Sequence, residues 1–314
     1  MNGDGYADII VGAEEVEVDV GRAYVYMGGP SGISPTQEPA ALTGPDGLPG
    51  PGRGGGLFGR SVASAGDVNA DGYGDVVVGA YKAGRAYLYR GSALGISPTQ
   101  APTKLEGFED SGTGFGVAVS GAGDVNGDGY ADIVVGDDVV DGSSGRAYVF
   151  LGGAWGMSGA PQPTALMAGL GAGEQFGARL ALAGDVDGDG YDGVLVAAHA
   201  AADDNAGRAF VFFGGASGLG SQPLTLMGTP GIPGLFGSAV AGAGDTDGDG
   251  YADVLVASPP SGEVYLYPGA AAISSSHAFA PRRTFVAPED AGTFFGYAVA
   301  QSGLTSLSVG ASTL

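Results

Sequence analysis

The chain has 314 residues, of which 64 are Gly and 18 are Pro, so about a quarter of it disfavours helix interiors and a predominantly helical fold is excluded. Twelve Lys and Arg stand against 34 Asp and Glu, and the formal net charge of −22 repels polyanions, which excludes nucleic acid as a main ligand. With no Cys there is no disulfide framework, thiol nucleophile or cysteine-ligated zinc, and no run of 18 apolar residues offers a membrane span.

The glycines recur in register. The chain opens on an acidic segment, NGDGYAD, which lacks the first two positions of the segments that follow. Two runs come next, ADIIVGA and RAYVYMGG from Arg22, and their short, apolar, β-branched and aromatic make-up predicts buried strands. A turn rich in Gly, Ser and Pro (PSGISPTQ) leads to a weaker strand, PAALTG, and then to the long TGPDGLPGPGRGGGLFG from Thr43. From there a unit repeats, with Phe-Gly at 58, 115, 176, 236 and 295, at spacings of 57, 61, 60 and 59 residues.

Each Phe-Gly is followed by a strand of small residues, RSVASAG, VAVSGAG, ARLALAG, SAVAGAG and YAVAQSG. Nine residues after the Phe comes an acidic loop: DVNADGYGD from Asp67, DVNGDGYAD from Asp124, DVDGDGYDG from Asp185 and DTDGDGYAD from Asp245. The fifth unit has LTSLSVGAS there instead. Each acidic loop enters a second strand (GDVVVGA, ADIVVGD, GVLVAAH, ADVLVAS), a third (RAYLYRGS, RAYVFLGG, RAFVFFGG, EVYLYPGA), a turn and a short fourth strand (PTKLEG, PTALMAG, LTLMG, RTFVAP). Four strands in sixty residues make one blade of an all-β propeller, and small residues on the first strand suit a crowded central axis. Residues 1–314 are expected to form a single propeller domain of four-stranded antiparallel blades, about five in this chain.

The order Phe-Gly, small-residue strand, DxDxDGxxD loop and apolar strand ending Gly-Ala resembles the FG-GAP repeat of the integrin α-subunit β-propeller and its bacterial relatives. The resemblance covers nearly the whole chain. It implies a calcium-binding propeller, commonly of seven blades, used in extracellular adhesion and also appended to some secreted enzymes. Because Met1 falls inside an acidic motif, the chain is expected to be a fragment of a longer propeller. The alternative is that FGYAVAQSG completes the N-terminal blade and closes a five-bladed ring, which would protect exposed sheet edges.

Calcium takes six to eight hard oxygen ligands on a flexible loop, and alternate residues of a tight turn aim their oxygens at one point. In the loop from Asp124 the ligands are Asp124, Asn126 and Asp128 at positions 1, 3 and 5, the Tyr130 carbonyl at 7 and Asp132 at 9, with Gly129 permitting the turn. The equivalent sets are Asp67, Asn69, Asp71, Tyr73 and Asp75; Asp185, Asp187, Asp189 and Tyr191; and Asp245, Asp247, Asp249, Tyr251 and Asp253. The N-terminal loop retains Asn2, Asp4, Tyr6 and Asp8 as an incomplete site. An EF-hand requires Glu at position 12, where these loops have Val78, Val135, Val196 and Val256 inside strands, so they are strand-to-strand turns closed at position 9.

Carboxylates repeated at this spacing repel unless a cation joins them, which predicts about four Ca²⁺ sites. Taking ~1 mM calcium and a Kd of ~0.1 mM, each site stabilises the fold by roughly 1.4 kcal/mol, and four give roughly 5–6 kcal/mol. That chemistry, like the resemblance, points to an extracellular or cell-surface location. Ligand charge count ranks the loop from Asp245 tightest and those from Asp67 and Asp124 next. The loop from Asp185 is weaker, because position 9 is Gly193 and the carboxylate has moved to Asp192, on the other face of the strand.

The tyrosines at position 7 are expected to pack their rings beside the loops, and Arg22, Arg85, Arg146 and Arg208 to make a repeated structural contact at the start of the third strands. His199 and His277 are isolated, and no GxSxG, Walker or HExxH motif occurs, so no enzymatic activity is expected. The rim opposite the acidic loops carries the variable segments AEEVEVDVG, DDVVDGSSG, AADDNAG and the Thr43 loop, and a protein or glycan partner is expected there. The expected function is a calcium-stabilised extracellular module for cell adhesion or protein/glycan binding. Its alternatives are the accessory propeller of a secreted hydrolase and a structural spacer in a large surface protein.

Overall fold

The computed structural model describes residues 1–16, 20–34, 36–45, 56–108, 114–157, 162–168, 170–200, 206–228, 235–271, 273, 280–287 and 295–300. The first blade holds β1 (Ile9–Ala13), β2 (Arg22–Tyr26) and β3 (Ala40–Leu42). The second holds β4 (Phe58–Gly66), β5 (Asp75–Ala80), β6 (Arg85–Tyr89) and β7 (Thr103–Leu105). The third holds β8 (Phe115–Gly123), β9 (Asp132–Asp137), β10 (Arg146–Phe150) and β11 (Thr164–Leu166). The fourth holds β12 (Arg179–Gly184), β13 (Gly193–Ala198), β14 (Arg208–Phe212) and β15 (Leu224–Leu226). The fifth holds β16 (Ala239–Gly244), β17 (Asp253–Ser258), β18 (Glu263–Tyr267) and β19 (Arg283–Val286). In each sheet the strands lie side by side in chain order, giving antiparallel meanders, four of them four-stranded and the first three-stranded. No helix among the described residues is long and apolar enough to cross a membrane.

The second strands explain their own composition. β5, β9 and β13 are buried at every residue, because each is central in its sheet and its sheet is covered on both faces by neighbouring blades. Both side-chain faces must therefore be apolar, and the strand reads as a continuous Val-rich run rather than an alternation. The cores lie between blades. Val76 and Val78 join Val25 and Leu42 of the first blade, whereas Val77, between them in sequence, joins Ile133 and Val135 of the third. The same alternation places Val194 and Val196 against the third blade and Leu195 against the fifth.

Each inter-blade core is sealed by the Phe of a Phe-Gly pair. Phe58, Phe115, Phe176 and Phe236 are buried and stand edge-on or tilted against the aromatic residues of their own third strands, as Phe176 does with Phe210 and Phe212 at centroid distances of 5.6 and 6.0 Å. Such pairs add about 1 kcal/mol each beyond their burial. The adjoining Gly lets backbones touch: a Cβ at Gly136 of β9 would stand 2.0 Å from the Gly177 carbonyl oxygen of the next blade. The first strands of adjacent blades, β4 with β8, β8 with β12 and β12 with β16, lie in contact along the axis. Their small residues are required there, since a Cβ at Gly242 would meet the Leu182 carbonyl oxygen at 2.5 Å.

The two ends of the array differ from its middle. Ile9 and Val11 of β1 are 49% and 45% exposed, so nothing among the described residues takes the first-strand place beside β1. At the other end, Phe295 and Val299 pack on Ala239, Ala257 and Val264 of the fifth blade, and a Cβ at Gly296 would stand 3.1 Å from Ala257 Cβ. Residues 295–300 thus begin a fifth inter-blade contact, in turn and bend conformation rather than as the expected strand. The segment LTSLSVGAS lies outside the described residues.

Gly136→Ala is expected to destabilise the protein by about 2–4 kcal/mol in thermal or denaturant unfolding, because the obstructing atom is backbone on both sides. Gly153→Ala, whose Cβ would meet nothing within 4 Å, is expected to change stability by less than about 0.5 kcal/mol.

Candidate metal centres

The acidic loops connect first to second strands, and they are built as successive side-chain-to-backbone turns. The position 1 carboxylate gathers the loop around itself: Asp124 Oδ1 accepts from Gly127 N and Asp128 N at 2.7 and 3.1 Å, and Oδ2 from Gly129 N at 2.8 Å. Asp185 and Asp245 accept from the equivalent amides of their own loops. These N–H bonds, led by that from Gly250, hold the Asp245 carboxyl below its usual range. At position 5, Asp71, Asp128, Asp189 and Asp249 each accept from the N–H of the position 7 tyrosine at 3.0 Å. Gly72, Gly129, Gly190 and Gly250 at position 6 have φ near +90°, the left-handed region the turn requires.

These bonds bring the carboxylates together. One oxygen each of Asp185, Asp187 and Asp189, and likewise of Asp245, Asp247 and Asp249, lie within 4.8 Å of one another. Calcium–oxygen distances of about 2.4 Å put opposite ligands roughly that far apart, so hard oxygen donors at this spacing fit a calcium ion. Burial raises the Asp187 carboxyl above its usual value, and the charges of Asp189 and Asp185 add to the shift. In the loops from Asp67 and Asp124, position 3 is an amide: Asn69 Nδ2 donates to Asp71 Oδ2 and Asn126 Nδ2 to Asp128 Oδ2, each at 2.9 Å. The N-terminal loop repeats the pattern, with Asn2 Nδ2 donating to Asp4 Oδ2 at 2.8 Å.

Position 9 has a further part. Asp75, Asp132 and Asp253 are fully buried, and Asp253 stands outside the Asp245, Asp247 and Asp249 cluster. Asp132 Oδ2 accepts from Val125 N at 2.9 Å and Oδ1 from Gly152 N at 2.8 Å. Asp75 does the same with Val68 and Gly91, and Asp253 with Thr246 and Gly269. Asp8 accepts from Gly28 N at 2.8 Å. Each carboxylate therefore ties its loop to the glycine that ends the third strand. Burial pushes the Asp75 and Asp132 carboxyls up to about 6, against the lowering effect of those N–H donors. The glycine partners were legible only as strand ends, in the recurring MGG, RGS, LGG, FGG and PGA.

The loops also join blades. Ala131 N donates to Asp67 O, Asp192 N to Asp124 O and Ala252 N to Asp185 O, at 2.8–3.2 Å, and Gly153, Gly215 and Ala270 donate to Val68, Val125 and Val186. The tyrosine rings cross the same boundary: a Cβ at Gly127 would meet the Tyr191 ring at 2.6 Å and one at Gly188 the Tyr251 ring at 2.3 Å. Each ring thus covers the loop of the preceding blade. Asp192 behaves likewise, since its Oδ2 accepts from Asp124 N at 3.0 Å. It is turned to the neighbouring blade and leaves position 9 of its own loop to Gly193.

The arginines at the third-strand starts find different side-chain partners, Arg85 with Glu106 and Arg146 with Asp141. What recurs is their backbone: the carbonyl oxygens of Arg22, Arg85 and Arg146 face the Phe-Gly glycines Gly59, Gly116 and Gly177. On the opposite rim, DDVVDGSSG forms a turn over Val140–Ser143 with Asp141 in the left-handed region at φ 54°. Residues 17–19, 46–55 and 201–205 of the other rim segments, and His277, lie outside the described residues.

Family models for the FG-GAP-like repeat and the FG-GAP repeat match residues 67–135 and 236–270. Integrin alpha-5 of Xenopus laevis is 30% identical over 245 residues, covering 74% of this chain and 23% of that protein. Integrin alpha-7 of Rattus norvegicus is 39% identical over 43% of this chain and 12% of its own length, and integrin alpha-IIb of Homo sapiens 35% over 49% and 15%. The chain thus spans less than a quarter of the length of these curated relatives. A solved structure described as the Dos1 propeller aligns with 87% of this chain and 54% of its own at 12% identity, with a TM-score of 0.49. The two repeat matches, the integrin α similarity and the periodic blade geometry identify the chain as an FG-GAP repeat, integrin α-like β-propeller.

Proposed function

We propose that this propeller is a calcium-stabilised, non-enzymatic interaction module of the extracellular, adhesion type. The carrying observation is that the loops from Asp185 and Asp245 each hold three carboxylate oxygens within 4.8 Å of one another, while the loops from Asp67, Asp124 and Asp185 accept backbone hydrogen bonds from the next blade. A cation on such a loop offsets the repulsion of its carboxylates and strengthens an inter-blade contact at once. The ligand sets are positions 1, 3, 5, 7 and 9 of the loops from Asp67, Asp124 and Asp245, and positions 1, 3, 5 and 7 of the loop from Asp185. At position 9, a carboxylate oxygen that accepts one N–H keeps a second lone pair for a metal. Similarity to integrin α subunits supports the adhesion-type reading and an extracellular or cell-surface location, where millimolar calcium would fill such sites. A protein or glycan partner is proposed for the rim opposite the loops, which carries the segments that differ most between blades.

Adding ~1 mM Ca²⁺ to EDTA-treated protein is expected to raise Tm by roughly 10 °C, from a combined contribution of ~5 kcal/mol, and Mg²⁺ to raise it much less. An unchanged Tm would refute the calcium reading. The two roles within a loop separate by mutation. In EDTA, Asp132→Ala is expected to cost roughly 2–4 kcal/mol, because the buried Val125 N–H and the partly buried Gly152 N–H lose their acceptor. Exposed Asp128→Ala is expected to cost less than about 1 kcal/mol in EDTA and to remove the calcium increment of that loop. Unfolding curves with and without calcium check both.

A further inference from the structure

We propose that Arg282 is a built-in counter-ion of the loop from Asp245: it holds Asp247 in the metal-free protein and must be displaced when calcium binds. This makes that loop a weaker, more calcium-responsive site than its four carboxylates suggest. The proposal rests on the calcium reading of the acidic loops.

Arg282 Nη1 pairs with Asp247 Oδ2, one of the contacts between the third-to-fourth connection of the fifth blade and its acidic loop. Asp247 Oδ1 is already taken, since it accepts from Asp249 N at 3.2 Å. The guanidinium therefore occupies the oxygen that the loop itself leaves open, on one of the three carboxylates whose ligand atoms converge.

Strand register shows that this arginine is specific to one blade. Arg283 pairs with Leu266, as Thr103 pairs with Leu88, Thr164 with Val149, Leu224 with Val211 and Ala40 with Val25. The residue immediately before each is Arg282 in the fifth blade and Pro102, Pro163, Pro223 and Pro39 in the others. Proline has no N–H, whereas Arg282 N donates to Leu266 O at 2.8 Å. That bond pins the backbone of Arg282 at the end of the sheet, from which its side chain reaches the loop.

The exchange accompanies a change at position 3. The loops from Asp67 and Asp124 carry neutral Asn69 and Asn126 there, and their blades have Pro102 and Pro163. The fifth blade adds a carboxylate, Asp247, and with it a cation. The loop from Asp185 also has an aspartate at position 3, Asp187, but Pro223 stands where the arginine would be. A guanidinium and Ca²⁺ cannot share Asp247 Oδ2 without strong like-charge repulsion, so calcium binding requires the arginine to leave. Its side chain is 52% exposed and can swing into water, while that of Asp247 is only 21% exposed. The pair thus relieves carboxylate repulsion when calcium is absent and competes with calcium when it is present.

Calcium titration of the full chain, by calorimetry and by Tm at low ionic strength, tests this on wild type, Arg282→Ala, Asp249→Ala and the double variant. Arg282→Ala is expected to tighten one calcium site by roughly three- to tenfold, with a small fall in metal-free Tm. In the Asp249→Ala background, where the loop has lost a ligand, the same substitution should leave calcium affinity unchanged. If wild type binds calcium and Arg282→Ala binds it no more tightly, or if the gain persists without Asp249, the counter-ion role of Arg282 is overturned. If no variant binds calcium at all, it is the calcium reading itself that has failed.

Discussion

The architecture depends on how closely the backbones of adjacent blades approach. Where Gly136 meets the Gly177 carbonyl, and where Gly79 meets that of Gly116, no side-chain atom fits between the two chains. That spacing allows Phe115 and Phe176 to bury their rings in the seam and forces the second strands to be apolar on both faces. The fourth and fifth blades use alanine at the corresponding strand positions, and the contact loosens accordingly: a Cβ at Gly237 would stand 3.0 Å from Ala197 Cβ. The Phe-Gly pair is therefore a joint between blades as much as the start of a strand.

The acidic rim is a second joint of different chemistry. Its buried position 9 carboxylates act inside a blade, tying loop to third strand, while the loop carbonyls act between blades. Because the same nine residues do both, anything that rigidifies a loop also fixes the angle of the next blade. The cost is concentrated like charge, with two or three further carboxylates around each anchor. Four Ca²⁺ ions would offset on the order of eight of the 22 excess negative charges at the points where they crowd most.

Much of this was legible in the sequence because it is local and periodic. Short apolar runs rich in β-branched and aromatic residues, the sixty-residue repeat and the Asp-Gly turns placed β4 to β19 and the acidic loops in their observed order. What stayed hidden lies across blade boundaries. The tyrosine at position 7 was expected beside its own loop, yet the Tyr191 and Tyr251 rings lie over the loops of the preceding blades. Asp192 was read as turned to the far face of its strand, and the structure supplies the reason, an N–H from Asp124 in another repeat. Such contacts join residues about sixty positions apart, and no single copy of the repeat contains both partners. The dual role of position 9 was also hidden, because an aspartate anchoring two amides and one binding a metal are spelled alike.

Deviations from the repeat carry information that the repeat itself cannot. A position occupied by proline in four blades and arginine in the fifth is conspicuous only once strand register aligns Arg283 with Thr103, Thr164, Leu224 and Ala40. Counting carboxylates ranked the Asp245 loop as the tightest calcium site, and that count treats each loop as isolated from the rim around it. With Arg282 on Asp247, the net charge facing an incoming ion would fall to that of the Asn69 and Asn126 loops, and the ion would in addition have to expel a cation. On the calcium reading, affinity on this rim would be set by the whole connection between strands, and equal motifs need not make equal sites.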